Sequence, residues 1–90
     1  MGDELTRRQV TARLRELLAE ILECDAADVG PDDDLVDELD ADSLQRLELM
    51  TEVEQELGIH LDAGAWRAGR TLGELAELTL QTLAAQPQAR

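Results

Sequence analysis

Asp40-Ala41-Asp42-Ser43-Leu44-Gln45-Arg46-Leu47-Glu48-Leu49-Met50-Thr51-Glu52-Val53-Glu54-Gln55-Glu56-Leu57-Gly58 is the stretch that decides the fold. Asp42 is a strong helix N-cap with Gln45 three residues on, the pattern of a capping box, and Gly58 suits the position just past a helix's last turn. At about 100° per residue, Leu49, Met50, Val53 and Leu57 share one broad face, enough to join a core. A helix is therefore predicted from Asp42 or Ser43 to just before Gly58. Leu44 and Leu47 fall to the side of that face, on the flank of Glu48 and Thr51. Two readings stay open for them: they pack against a neighbouring loop, or they form a docking patch beside a bare serine.

The sequence around this helix is also helical. Leu14, Leu17, Leu18 and Ile21 follow a helical stripe, with Val10 one turn earlier, so a first helix is expected over about Asp3 to Glu23. Thr6 followed by Gln9 is a second candidate start. A long connection follows, from about Cys24 to Asp42, in which Gly30-Pro31 and Asp32-Asp33-Asp34 break helices. Val29, Leu35 and Leu39 are expected to pin it to the core, with a short helical turn around Leu35 to Leu39, because so long a connection is rarely structureless. Asp62 caps a short third helix through Trp66. Thr71 with Glu74 opens a last helix to about Ala85, whose stripe is Leu72, Leu75, Ala76, Thr79 and Leu83. Pro87 closes it, and residues 86–90 are expected to fray. The fold class is all-α: one domain over residues 1–90 with its core at about 4–85, three main helices, one short one, and a long first loop.

Composition narrows the function. Ninety residues make one domain with a modest core, burying about 60–65% of the surface that the unfolded chain exposes. The formal net charge is −13 and every basic residue is arginine. Nucleic acid and anionic membranes are poor partners for such a surface, and basic proteins are good ones. From Asp25 to Glu56 there are thirteen acids and one base, Arg46, so the acidic half is the half that contains Ser43. Apolar residues are too frequent and too regularly spaced for a disordered acidic tail. Cys24 is alone, which excludes an intramolecular disulfide and a thiolate zinc site, and it reads as a buried or half-buried small residue. Neither a signal peptide nor a membrane span is evident, which fits the cytoplasm.

Ser43 is the only candidate nucleophile of its kind, being the sole serine. His60, the sole histidine, lies beyond the far end of the central helix, about 18 Å away along some twelve residues, so nucleophilic catalysis is not expected. The aspartate run lacks EF-hand spacing and its central glycine, and reads as a solvated loop. Trp66, the one aromatic by the Phe/Trp/Tyr count, reads as a packing residue of the short helix.

Asp40-Ala41-Asp42-Ser43-Leu44 resembles the phosphopantetheine attachment motif of the acyl carrier protein family. The resemblance continues through Leu35-Val36-Asp37-Glu38-Leu39 before it and through Leu47-Glu48-Leu49 and Gly58-Ile59-His60-Leu61 after it, over about Leu14 to Leu83. It implies a four-helix carrier bundle that is not an enzyme. Ser43 would receive 4′-phosphopantetheine from coenzyme A through a phosphopantetheinyl transferase, with Asp42 beside the phosphodiester helping to hold the transferase's magnesium. Leu44, Leu47, Glu48, Thr51 and Glu52 would serve recognition by ketosynthase- or acyltransferase-type enzymes with basic docking surfaces. Two residues depart from the family pattern on that face: Thr51 stands where methionine or leucine is common, and Arg46 adds a positive charge. Asp40 stands where the family usually has glycine, at a place that calls for left-handed backbone freedom, which aspartate tolerates better than most residues.

The resemblance further implies a monomeric carrier of acyl thioesters for polyketide, fatty-acid or related specialised biosynthesis. The chain's own start and short tail point to a discrete protein. Two alternatives stand beside this. One is a peptidyl or aminoacyl carrier, whose serine more often follows Gly-His or Gly-Gly. The other is an unmodified acidic helical module that binds a basic partner.

Overall fold

A computed structural model describes residues 3–85, with side chains from Thr6 onward. Residues 86–90, expected to fray, lie outside the described residues. Four helices follow in order: α1 Asp3–Leu22, α2 Ser43–Leu57, α3 Ala63–Ala68 and α4 Leu72–Ala85, with one 3-10 turn at Ala26–Asp28. The all-α architecture expected from the stripes is the one observed.

The stripes bury for the most part, Ile21 and Leu83 only partly. Val10, Leu14, Leu17 and Leu18 of α1 meet Leu49, Met50 and Val53 of α2 and Leu72, Leu75 and Ala76 of α4 in one apolar cluster, which Trp66 of α3 joins. Each fully buried leucine contributes roughly 1.5–3 kcal/mol relative to exposure. Leu57 does not follow its face inward. It is exposed at the rim of a pocket that Val10, Leu14 and Leu17 of α1 also line. Thr79 is fully buried in α4, and its hydroxyl donates to the Leu75 carbonyl at 2.8 Å, so burial leaves no orphaned donor.

The helix ends explain the turns. α1 stops one residue earlier than expected because Glu23 takes a left-handed φ of 59°, and the Cys24 N–H then bonds back to Ala19 at 2.9 Å. Cys24 is exposed rather than buried, since it sits just past this reversal, before the chain re-enters the core at Val29. Gly58 ends α2 with φ 66°. Beyond it Ile59 and Leu61 are buried while His60 between them faces solvent, and the Leu61 N–H donates to Glu54 at 2.8 Å.

The long loop is pinned by Val29 and Leu35, both fully buried, and by the partly buried Leu39. The region of Leu35 to Leu39 is one hydrogen-bonded turn rather than a helix: Glu38 and Leu39 both donate to the Asp34 carbonyl at 3.0 Å. The aspartate run is less solvated than its charge suggests. Asp33 accepts from the Gly30 N–H at 3.0 Å, and Asp34 accepts from the N–H groups of Asp37 and Val36 at 2.8 and 2.9 Å and pairs with Arg70 at 2.7 Å. Those bonds, the Asp37 N–H first, hold the Asp34 carboxyl below its ordinary range against partial burial. Leu35 donates to the Arg70 carbonyl at 2.8 Å beside a single backbone bridge between Asp34 and Thr71, which ties the loop to the start of α4. There the expected Thr71–Glu74 box is half formed. Thr71 accepts from the Glu74 N–H at 3.1 Å, but the Glu74 carboxylate takes the Arg70 N–H, one residue earlier.

Candidate functional site

The loop delivers the chain to α2 through two residues of opposite character. Ala41 is buried, and its N–H donates to Leu35 at 2.8 Å. Asp40 before it takes φ 58°, the left-handed conformation anticipated where a glycine is usual. Together they turn the chain so that α2 starts at the surface.

Asp42 is the N-cap of α2, and the capping box is complete. Its carboxylate accepts from the Gln45 N–H at 2.8 Å, and the Gln45 side chain accepts from the Asp42 N–H at 3.0 Å. Ser43 is therefore not the capping residue. It is the first residue of the helix, exposed, and its hydroxyl makes no hydrogen bond within the described residues. The backbone N–H groups of Ser43 and Leu44 are likewise unpaired. A helix end with free N–H groups and a positive dipole favours an attached anion.

The flank beside Ser43 is open. Leu44 is 70% exposed and Leu47 48%, which excludes their packing against the loop and leaves the surface-patch reading. Glu48, Thr51 and Glu52 are exposed as well, so α2 presents all five of the residues selected for recognition to solvent. His60 is at the other end of that helix, exposed, 3.7 Å from Glu54.

Sequence reasoning missed a groove of about 270 Å3 between α2 and α3, lined by Ser43, Leu44, Arg46, Leu47, Met50, Ala63, Trp66 and Arg67. Trp66 forms its wall and is locked in place, its indole N–H donating to the Arg46 carbonyl at 2.9 Å. The available signals were weak: a lone tryptophan in a glycine-bearing short helix, and an arginine one turn after Ser43. Among the described residues, no group of three or more His, Cys, Asp or Glu side chains is placed to hold a metal, and no helix is long and apolar enough to cross a membrane.

The phosphopantetheine attachment site family matches residues 12–79, a span that contains the whole of this face. The chain belongs to that family of acyl carrier proteins, which are carriers rather than catalysts, and its cofactor is covalently attached 4′-phosphopantetheine. Among its relatives, an acyl carrier protein of Saccharopolyspora erythraea is 31% identical over 80 residues, covering 89% of this chain and 84% of that protein. The polyketide-8 synthase acyl carrier protein 2 of Streptomyces avermitilis is 45% identical over 49 residues, 54% of this chain and only 56% of that protein. A meromycolate extension acyl carrier protein of Mycolicibacterium smegmatis is 26% identical over 84 residues, 93% of this chain and 85% of its own length. Proteins of this family meet phosphopantetheinyl transferases and biosynthetic enzymes. The residues present fit the cofactor: an unbonded hydroxyl at a helix start, free N–H groups beside it, and Arg46, whose Nε is buried without an acceptor in the adjoining groove.

Proposed function

We propose that Ser43 is the attachment point of the arm, and that these residues form a single carrier domain for acyl intermediates that acts as a monomer in the cytoplasm. The observation that supports this best is the Ser43 hydroxyl, exposed and unbonded on the first residue of α2 while Asp42 does the capping. The cofactor supplies a terminal thiol on which acids are held as thioesters, and tethering keeps their effective concentration high near a docked enzyme. Asp42 lies next to the modified serine and is suited to share the transferase's magnesium. The free N–H groups of Ser43 and Leu44 accommodate the phosphodiester's charge.

Leu44, Leu47, Glu48, Thr51 and Glu52 offer partners an apolar stripe edged by acids. The complementary surface is basic and grooved, as expected of the transferase and of ketosynthase- or acyltransferase-type enzymes. The −13 charge argues against nucleic acid and anionic membranes as partners. Polyketide or fatty-acid assembly is the pathway class favoured by the names of the Streptomyces and Mycolicibacterium relatives. The chain's part is presentation, not catalysis, since its lone histidine is remote from Ser43.

Intact mass after incubation with coenzyme A, magnesium and a broad-specificity transferase tests the reading. One added phosphopantetheinyl group, absent from Ser43→Ala, is expected. No addition while a control carrier is modified would replace it with an unmodified interaction module.

A further inference from the structure

The groove beside Ser43 is the wrong charge for its surroundings. Arg46 is the one base between Asp25 and Glu56, yet the groove is lined by two arginines, Arg46 and Arg67, and by no carboxylate. Other arginines are spent on acids: Arg7 on Glu77, Arg13 on Glu16 and Glu56, Arg70 on Asp34 and Asp37. Neither Arg46 nor Arg67 has a carboxylate within ion-pair distance among the described residues.

Arg46 is also unsatisfied. One terminal nitrogen reaches the Arg67 carbonyl at 3.4 Å, at the long edge of hydrogen bonding, and its Nε is buried with no acceptor. A guanidinium carries five donors in a planar fork suited to phosphate, and a buried orphan among them calls for a partner. Arg46 is one turn past Ser43, and residues three apart on a helix are neighbours, about 5–6 Å between Cβ atoms. A phosphodiester on the Ser43 oxygen therefore comes within reach of that fork. Leu44, Leu47, Met50, Ala63 and Trp66 give the groove an apolar floor. At about 270 Å3 it is close to the lower end of small-molecule sites, room for part of a pantetheine arm.

We infer that Arg46 pairs with the phosphodiester of the arm, that Arg67 adds a second positive charge across the groove, and that the unloaded arm rests folded back along α2 and α3 against Trp66. This rests on Ser43 as the attachment point. A docking enzyme whose cationic surface approaches Ser43 competes with Arg46 for the same phosphodiester, which frees the arm at the moment of contact.

The test uses the full chain in unmodified and phosphopantetheinylated forms, with intact mass taken first. Failure to modify Ser43 would defeat the attachment reading, and the mass alone reports it, before any spectrum is recorded. Amide and indole 1H–15N shifts are then compared between the two forms with the thiol unloaded. Modification is expected to move the Trp66 indole and the amides of Ala63 and Arg67. In Arg46→Gln those α3 shifts should fall by half or more, with Arg46→Lys intermediate, and raised salt should weaken them in the natural sequence. Spectra of the unmodified variants establish that they are folded. Shifts confined to residues 42–45, or α3 shifts that Arg46→Gln leaves intact, would overturn the inference. So would α3 shifts seen only once a carboxylated acyl group is loaded, since the anion recognised would then be the cargo's.

Discussion

Replacing Asp42 separates its two duties, capping α2 and carrying charge beside Ser43. Asp42→Ala removes the 2.8 Å bond to the Gln45 N–H, while the reciprocal bond from the residue-42 N–H to the Gln45 side chain remains available. Loss of such a cap costs about 1 kcal/mol, and loss of a negative charge at the helix N-terminus about 0.5 kcal/mol more. Asp42→Asn keeps an acceptor in the capping position and loses only the charge. For a domain of this size about 1 kcal/mol moves the midpoint by roughly 4–8 °C, so Ala should lower Tm by about 6–12 °C and Asn by about 2–4 °C. Calorimetry of the unmodified protein, checked by urea denaturation at 25 °C, measures both. Transferase rates provide the contrast: Asn, though nearly as stable as the natural sequence, should be modified much more slowly if the carboxylate shares the magnesium. Equal melting temperatures for Ala and Asn would refute the capping argument. Equal modification rates for Asn and the natural sequence would refute the charge argument.

The backbone at Asp40 makes a second prediction: Asp40→Val should destabilise by about 1–2 kcal/mol, because a β-branched residue is costly at φ 58°, whereas Asp40→Gly should be within about 1 kcal/mol of neutral, both read by urea denaturation. The ion pair from Arg13 to Glu56 holds the Glu56 carboxyl below its ordinary range, chiefly through the hydrogen bond. Its stabilisation is therefore complete above the unfolded carboxyl's pKa and fades as pH falls through the folded one. The Tm gap between the natural sequence and Glu56→Gln should thus be open at pH 7 and close below about pH 4; a gap that widens in acid contradicts this sign. Glu48→Lys with Glu52→Lys should slow transfer to partner enzymes at low salt without lowering Tm, and unchanged transfer would remove electrostatics from the docking account.

Much of this protein is set by short-range rules visible in its residues. Asp42, Gln45 and Gly58 bracket α2 because a capping side chain and a left-handed glycine act over three or four residues, wherever the helix packs. The stripes of α1 and α4 identify their buried faces because a helix must place i, i+3 and i+4 together. Ser43 stood out through the resemblance of Asp40 to Leu44 to an attachment motif, since a serine at a helix entry is by itself an ordinary cap. Even Asp40 was legible, since left-handed φ is a property of one residue.

What the tertiary structure alone decided depends on residues distant in the chain. Whether Leu44 and Leu47 were core or surface could not be read from helical phase; it depended on where the loop runs, and the loop is drawn aside to the start of α4 by Asp34, Leu35 and Arg70. Cys24 lost its expected burial to a chain reversal at Glu23, which no glycine announced. The groove brings α2 and α3 together, with Trp66 bonding the Arg46 carbonyl across twenty residues of sequence and the Arg46 Nε left without an acceptor. Local chemistry determined where the helices and the serine lie, and the packing of separate segments determined what surrounds that serine.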